Sequence, residues 1–481
     1  TAGNVTQFEY DRMGHLVKQT DPEGKAIHYE YDRYGRRTKT VDGNGNETTF
    51  DYSSSLATDM SCTSCGQEDG GFSTRPTKIV YPTFSQDIHY DARGRVVERK
   101  SLLADAEAYH TRYRYDAAGN LLTQTDGNNN ATHYEYDALN RKVKETDAQG
   151  GTIEYSYNTG SKVVAVKDAK DHISQFEYNR NGWLTKESRP MGQETRYEYD
   201  AAGNRTKKID AIGQVTEYSY DAAKKLSQVS YLSASGDTSP VKTVTYAYDR
   251  MGLLTGYDDG VMSASYEYDD AYRRVKETVD YGNFSLTSAY AYYANGRKRS
   301  FTGPDGVTYD YSYDENNQLT SISIPGQGQI SYSAYTWYQP GRILYPGGTV
   351  KEYGYDALMR QTSVLVTDPA QTVLLEQRYR YDALANLIEK ETEEGVTRYQ
   401  YDRIYQLLSV EGQNQPTTYQ YDMMGNRLKA EAFQYNANNE LVEKDGMSFN
   451  YDANGNLALK SSGTETVSYT HDVENRLVQV E

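Results

Sequence analysis

A tyrosine followed by aspartate or asparagine returns along this chain every 21 residues, at Tyr115-Asp116, Tyr136-Asp137, Tyr157-Asn158, Tyr178-Asn179, Tyr199-Asp200 and Tyr220-Asp221. A period held this strictly makes the chain a series of equivalent supersecondary units, each burying its apolar face only against its neighbours. The element continues at Tyr10, Tyr31, Tyr90, Tyr248, Tyr268, Tyr313, Tyr355, Tyr381, Tyr401, Tyr421 and Tyr451, with weaker copies near Tyr52, Tyr293, Tyr338, Tyr435 and His471. Residues 1–481 therefore read as one continuous repeat segment of about 20 copies. Two stretches break the pattern, 53–76 and 232–240, and their Ser, Gly and Thr content predicts loops inserted between repeats.

Inside a copy, aromatic-x-Tyr-Asp recurs as Phe8/Tyr10, Tyr29/Tyr31, Tyr113/Tyr115, Tyr134/Tyr136 and Tyr197/Tyr199. That period of two belongs to a β-strand with its aromatic stripe on one face. The residue between is polar (Glu9, Glu30, Arg114, Glu135, Glu177, Glu198), so the other face can meet water. Each strand ends in Asp-x-x-Gly, as in Asp11 to Gly14 or Asp116 to Gly119, the pattern of a type I turn. Aspartate at the first position bonds its own turn backbone, and glycine accepts the left-handed conformation that closes it. Asn140 replaces glycine in one copy and tolerates the same backbone. A second turn of this kind follows about ten residues on, at Asp21 to Gly24, Asp42 to Gly45, Asp147 to Gly150 and Asp210 to Gly213, which predicts two strands and two turns per copy. The structural motif comprises Tyr10, Asp11 and Gly14; Tyr31, Asp32 and Gly35; Tyr115, Asp116 and Gly119; Tyr136 and Asp137; Tyr199, Asp200 and Gly203; Tyr421, Asp422 and Gly425; and Tyr451, Asp452 and Gly455.

The predicted fold is all-β, a long antiparallel meander of short strands. A sheet of that length does not stay flat, because neighbouring strands twist by about 20–25°. Of the 60 aromatic residues, 49 are tyrosine, and hydrophobic residues make up 37% even with those counted. Aliphatics are too sparse for a thick packed core. A curved single-layer wall around a wide space follows, with tyrosines stacked between neighbouring hairpins as cross-strand aromatic pairs. The net charge of −17 and the lack of any basic run argue against a basic surface for nucleic acid or anionic lipid, and no apolar run approaches a membrane helix.

The motif Tyr-x-Tyr-Asp-x-x-Gly-[Asn/Arg]-[Leu/Arg], seen at Tyr113 to Leu121 and Tyr197 to Arg205, resembles the tyrosine-aspartate (YD) repeats of rearrangement-hotspot (Rhs) proteins. That family includes bacterial polymorphic toxins, the C component of insecticidal toxin complexes and the animal teneurins. The resemblance implies a spiral β-sheet wound into a hollow cocoon or barrel, which in the bacterial toxins encloses a C-terminal toxic domain. It implies a structural container rather than an enzyme, secreted or at the cell surface, exported by a bacterium. The implied partners are its own C-terminal toxin or effector domain, or another encapsulated polypeptide, together with secretion or delivery machinery. Bacterial members close their shell with a Pro-x4-Asp-Pro-x-Gly signature that this sequence lacks, so terminal plug, core-protease and cargo domains are expected to lie outside it. The alternative function is an extracellular adhesin or a carbohydrate- or protein-binding surface built on exposed tyrosine rows.

Little else in the sequence points to chemistry. Asp42-Gly43-Asn44-Gly45-Asn46 looks like part of a calcium loop but lacks the closing glutamate, and an acid repeated at one turn position is first a backbone-bonding residue. Cys62-x-x-Cys65 suggests a loop-bracing disulfide, with free thiols or half a zinc site as the other readings. No nucleophile elbow, phosphate loop or zinc-protease helix occurs, and no cofactor is implied. The end strands of such a meander present unpaired edges, so self-association through them is expected.

Overall fold

The computed structural model describes residues 4–53, 74–103, 108–233, 239–412, 415–429 and 432–481. The inserted segments fall largely outside them, since 54–73 and 234–238 are not among the described residues, and Cys62 and Cys65 fall outside with them.

The described residues form 45 strands and no helix. Thirty-seven of the strands belong to one sheet, six to another and two to a separate hairpin. Pairing is antiparallel between chain neighbours: Ala131–Tyr136 with Lys142–Thr146, that strand with Thr152–Tyr157, and Thr152–Tyr157 with Val163–Lys167. The intervening Glu30, Arg114, Glu135, Glu177 and Glu198 are exposed, while the flanking Tyr31, Tyr115, Tyr136 and Tyr199 are half-buried.

Most Tyr-Asp hairpins carry the same irregularity; the Tyr421 hairpin, with Gln420 opposite Leu428 and Tyr421 opposite Arg427, does not. Glu135 pairs with Lys144, yet Tyr136 pairs with Lys142, so Val143 is an extra residue on the returning strand. The slip recurs between Glu9 and Tyr10, Glu177 and Tyr178, and Glu198 and Tyr199. A bulge repeated at the same point of hairpin after hairpin increases local twist and bends the sheet. Curvature is thus built into the copy.

No thick core forms. Among the described residues the buried hydrophobics are Ile88, Val229, Leu232, Val244, Ala264, Ile343, Met359 and Val364, and no large side chain is fully buried. The wall is stabilised by its hairpins and by half-buried aromatic rings.

The chain divides into two compact units, each built from separated stretches of sequence. One comprises Thr1–Ala131, Ser288–Gln400 and Val410–Pro416; the other Thr132–Thr287, Tyr401–Ser409 and Thr417–Glu481. Within each unit, an earlier run of hairpins lies beside a later one.

Candidate functional site: the turns, the tyrosines and the seam

The Tyr-Asp turns are closed by Oδ1 of the aspartate, and many of them by Oδ2 as well. Asp11 Oδ1 accepts from the Met13 and His15 amides at 2.8 and 2.9 Å, and its Oδ2 meets His15 Nδ1 at 2.9 Å. Asp32 takes the Tyr34 and Arg36 amides on Oδ1 and Arg36 Nε on Oδ2 at 2.7 Å. Asp137 does the same with Leu139 and Arg141. At Asp116, Asp200, Asp422 and Asp452 an asparagine four residues on supplies both its amide and its Nδ2, from Asn120, Asn204, Asn426 and Asn456. The backbone adds Asp11 N to His15 O at 2.9 Å and Gly14 N to Asp11 O at 3.1 Å. The fourth residue is left-handed, with φ of 86° at Gly14 and 60° at Asn140. Gly35, Gly119, Gly203, Gly425 and Gly455 hold the same place and the same sign of φ.

The repeat tyrosines act through their hydroxyls, a role that side-chain periodicity does not reveal. Tyr157 Oη donates to Lys142 O at 2.6 Å, Tyr199 to Leu184 O at 2.8 Å, Tyr220 to Arg205 O at 2.8 Å and Tyr421 to Leu407 O at 3.0 Å. Tyr451 donates to Leu441 O at 2.9 Å. Each acceptor belongs to the first residue of a preceding returning strand, the residue beside the bulge. Phenylalanine would fill the same volume and leave that carbonyl without this donor.

The expected cross-strand aromatic pairs occur at Tyr246–Tyr257, Tyr290–Phe301 and Phe301–Tyr309, but between successive repeat tyrosines another contact dominates. The residue after the turn glycine mostly fills the layer between one repeat tyrosine and the next. Arg36 lies over Tyr52 at 4.4 Å, Arg95 over Tyr115 at 4.6 Å, Arg141 over Tyr157 at 4.6 Å and Arg360 over Tyr381 at 5.2 Å. His15 on Tyr31 and Trp183 on Tyr199 occupy the same slot as rings. A guanidinium whose Nε already serves the turn aspartate presents its flat face to the tyrosine without further ordering, so cation–π contact prevails there.

Second turns in several copies do what sequence reasoning missed: they sew one run of hairpins to the Tyr-Asp turns of another. In the first unit Asn44 Nδ2 donates to Asp314 Oδ2 at 2.8 Å, and Asn316 Nδ2 donates back to Asp42 Oδ2 at 2.9 Å. Asn295 and Asn317 both donate to Asp21 Oδ2, and Asn128 to Asp382 Oδ2. In the second unit Lys170 Nζ meets Asp422 Oδ2 at 2.8 Å, Arg189 meets Glu440 at 2.5 Å, Asn454 meets Asp210 Oδ2 at 2.8 Å and Lys242 meets Glu474 at 2.7 Å. The rule is compact. Oδ1 of a turn aspartate caps its own loop, and Oδ2 is left for a donor, commonly two residues past the facing turn's first position. Of the turn residues named from sequence, Asp21, Asp42, Asp210 and Asp422 receive such donors, and the Asp452 turn reaches across through Asn454. The carboxylates of Asp11, Asp32, Asp116, Asp137 and Asp200 are served inside their own turns.

The calcium-like Asp42 loop is explained by this seam, since every neighbour of its carboxylate is a donor: the Asn44 and Asn46 amides, Asn46 Nδ2 and Asn316 Nδ2. Among the described residues no group of three or more His, Cys, Asp or Glu side chains is arranged to hold a metal.

The same contacts set the response to pH. At Asp21, burial would raise the carboxyl pKa, but the bonds from Asn295 and Asn317 outweigh it and hold the group below its usual 3.8. At Asp422 burial is likewise outweighed, by Lys170 and Asn426. Burial holds the tyrosines Tyr197, Tyr231, Tyr246 and Tyr313 above their usual 10.0. Burial, with the charge of Asp314 second, pushes Tyr335 up to about 12. A depressed carboxyl contributes stability that is present above its unfolded pKa and lost as pH falls through the folded one. A raised phenol contributes stability that is present below its unfolded pKa and lost as pH rises through the folded one. Stability should therefore stay flat from pH 5 to 9, fall below about pH 4 and fall again above about pH 10. Tyrosine absorbance near 295 nm, followed with far-ultraviolet circular dichroism, checks this; phenol ionisation complete by pH 10 with the sheet intact would refute it.

A family model described as Teneurin YD-shell matches residues 81–231, 228–404 and 355–481, and one described as RHS Repeat matches 1–26 and 10–49. Among solved structures, TcdB2-TccC3 without its hypervariable C-terminal region superposes with a TM-score of 0.50 at 14% identity, over 98% of this chain and 38% of that one. TcdB2-TccC3 itself gives 0.49 at 14% identity, over 98% and 36%. The Photorhabdus luminescens Tc holotoxin pore with a TccC3 substitution gives 0.42 at 14% identity, over 98% and 35%. The chain thus spans little more than a third of the length of these neighbours. No curated protein matches it.

Proposed function

Because the chain belongs to the Teneurin YD-shell family, we propose that it is the wall of an encapsulating shell, which encloses and shields a toxin or effector polypeptide. The observation that carries this reading is the seam: hairpins more than 230 residues apart are tied side by side by buried or half-buried donors on turn carboxylates. Within each unit, neighbouring hairpins pair along the sheet and facing runs are tied at their turns, which is what excluding a protease or retaining a chain requires. Its parts are structural: the carboxylates are committed to turns and seam, and the tyrosine hydroxyls to backbone. We place the protein outside the cell that makes it, with the enclosed polypeptide and a delivery apparatus as partners.

The adhesin reading draws less support, because the repeat tyrosines that would form its binding rows already have their hydroxyls engaged.

Electron cryomicroscopy of the protein purified from the cells that make it, with mass spectrometry of whatever is retained, tests the proposal. Density for a second polypeptide inside a closed wall, resistant to added protease until the wall is unfolded, is the expected result. An open sheet from which no polypeptide is recovered would overturn it.

A further inference from the structure

Two hairpins of this chain carry the same aromatic platform, and one of them is uncovered. In the first, Tyr81 and Phe84 close a tight turn, with Tyr81 N bonded to Phe84 O at 2.8 Å and their rings stacked at 4.6 Å and 22°. In the other, Tyr281 N bonds Phe284 O at 2.9 Å, and the rings stack at 5.0 Å and 22°. The Tyr81 platform is half-buried, and Trp337, carried on a turn of the facing run of hairpins, stands against it at 5.9 Å. The Tyr281 platform has no such cover among the described residues. Tyr281 is 43% exposed, Phe284 57% and Leu286 40%, and all eight residues from Asp280 to Thr287 are exposed. The hairpin is also long: its strands Arg274–Asp280 and Ser285–Tyr292 have 7 and 8 residues, where a regular copy such as Lys142–Thr146 and Thr152–Tyr157 has 5 and 6.

We propose that the Tyr281/Phe284 platform is a docking site for a partner polypeptide that presents a tryptophan side chain on a tight turn. The chain itself shows how such a turn seats on such a platform, at Trp337. A second copy of the chain is a poor occupant, because its two indoles are already placed: Trp337 lies against Tyr81, and Trp183 against Tyr199. Stacked aromatic rings offer apolar area and a defined geometry, and an indole edge is the matching shape. The partner belongs to another polypeptide.

The probe is a cyclised peptide with the sequence of Ala334 to Gly341, the chain's own tryptophan turn, titrated into the intact protein by calorimetry. Saturable binding is expected. It should weaken about tenfold or more in the Tyr281→Ala/Phe284→Ala double variant, survive Phe284→Tyr, and vanish when the peptide's tryptophan is replaced by alanine. The platform is exposed, so circular dichroism of the double variant should match the parent and separate a lost site from a lost fold. Absence of saturable binding, or equal binding by the double variant or the alanine peptide, would overturn the proposal. So would sedimentation showing a dimer of the parent that the double variant loses, since the occupant would then be a second copy.

Discussion

Gly43→Ala should cost the first unit about 4 kcal/mol, a penalty in the range of overpacking combined with lost charge-assisted hydrogen bonds. A Cβ at Gly43 would lie inside van der Waals contact of the Glu315 carbonyl oxygen and carbon, which are backbone atoms that cannot rotate away. The turn at Asp42 would have to retreat from the turn at Asp314, breaking the reciprocal Asn44–Asp314 and Asn316–Asp42 pairs together. Gly45→Ala, two residues on, provides the control. Its φ is 83° and nothing lies within 4 Å of its new Cβ, so it pays only the left-handed backbone, about 1 kcal/mol. The reporter is Trp337, whose carbonyl accepts from Gln318, itself bonded to Asn44. Urea unfolding followed by Trp337 fluorescence in a Trp183→Phe background gives both values. Equal penalties at the two glycines would mean that the seam carries no weight.

Removing four tyrosine hydroxyls from the second unit should be almost as damaging. Tyr157, Tyr199, Tyr220 and Tyr248 each donate to a carbonyl beside a bulge. A Tyr→Phe change keeps the ring and loses one hydrogen bond to a backbone carbonyl, about 1 kcal/mol. The positions lie at least two strands apart, so the effects should add to about 4 kcal/mol. The quadruple variant should unfold at lower urea when followed by Trp183, which packs on Tyr199 at 5.5 Å. An unchanged midpoint would reduce the tyrosines to space filling.

These two variants test different levels of the same wall. The tyrosine clamp joins a hairpin to its neighbour in sequence, and it gives a reason for tyrosine rather than phenylalanine at the second aromatic position of a copy. The hydroxyl itself was not legible, because a period of two specifies a face and says nothing about which atom on that face finds a partner. The arginine slot after the turn glycine was equally hidden: Arg141 reads as a solvated turn charge until its guanidinium is seen to bridge Asp137 and Tyr157.

The sequence alone determined everything that is local: strands of alternating exposure, aspartate-capped turns with a left-handed fourth residue, and a meander with no helix to cover it. Those features are settled within about ten residues, by hydrogen bonds such as Asp11 Oδ1 to the His15 amide, so each copy declares them independently. Only the tertiary structure decided which turns face one another. The separation of facing partners shrinks from 274 residues at Asp42 to 254 at Asp382, 252 at Asp422, 244 at Asp210 and 232 at Lys242. No fixed period yields that series. It depends on how twist and bulges accumulate over many strands and on the unequal lengths of hairpins between the partners, a sum to which every intervening copy contributes and that no single copy displays.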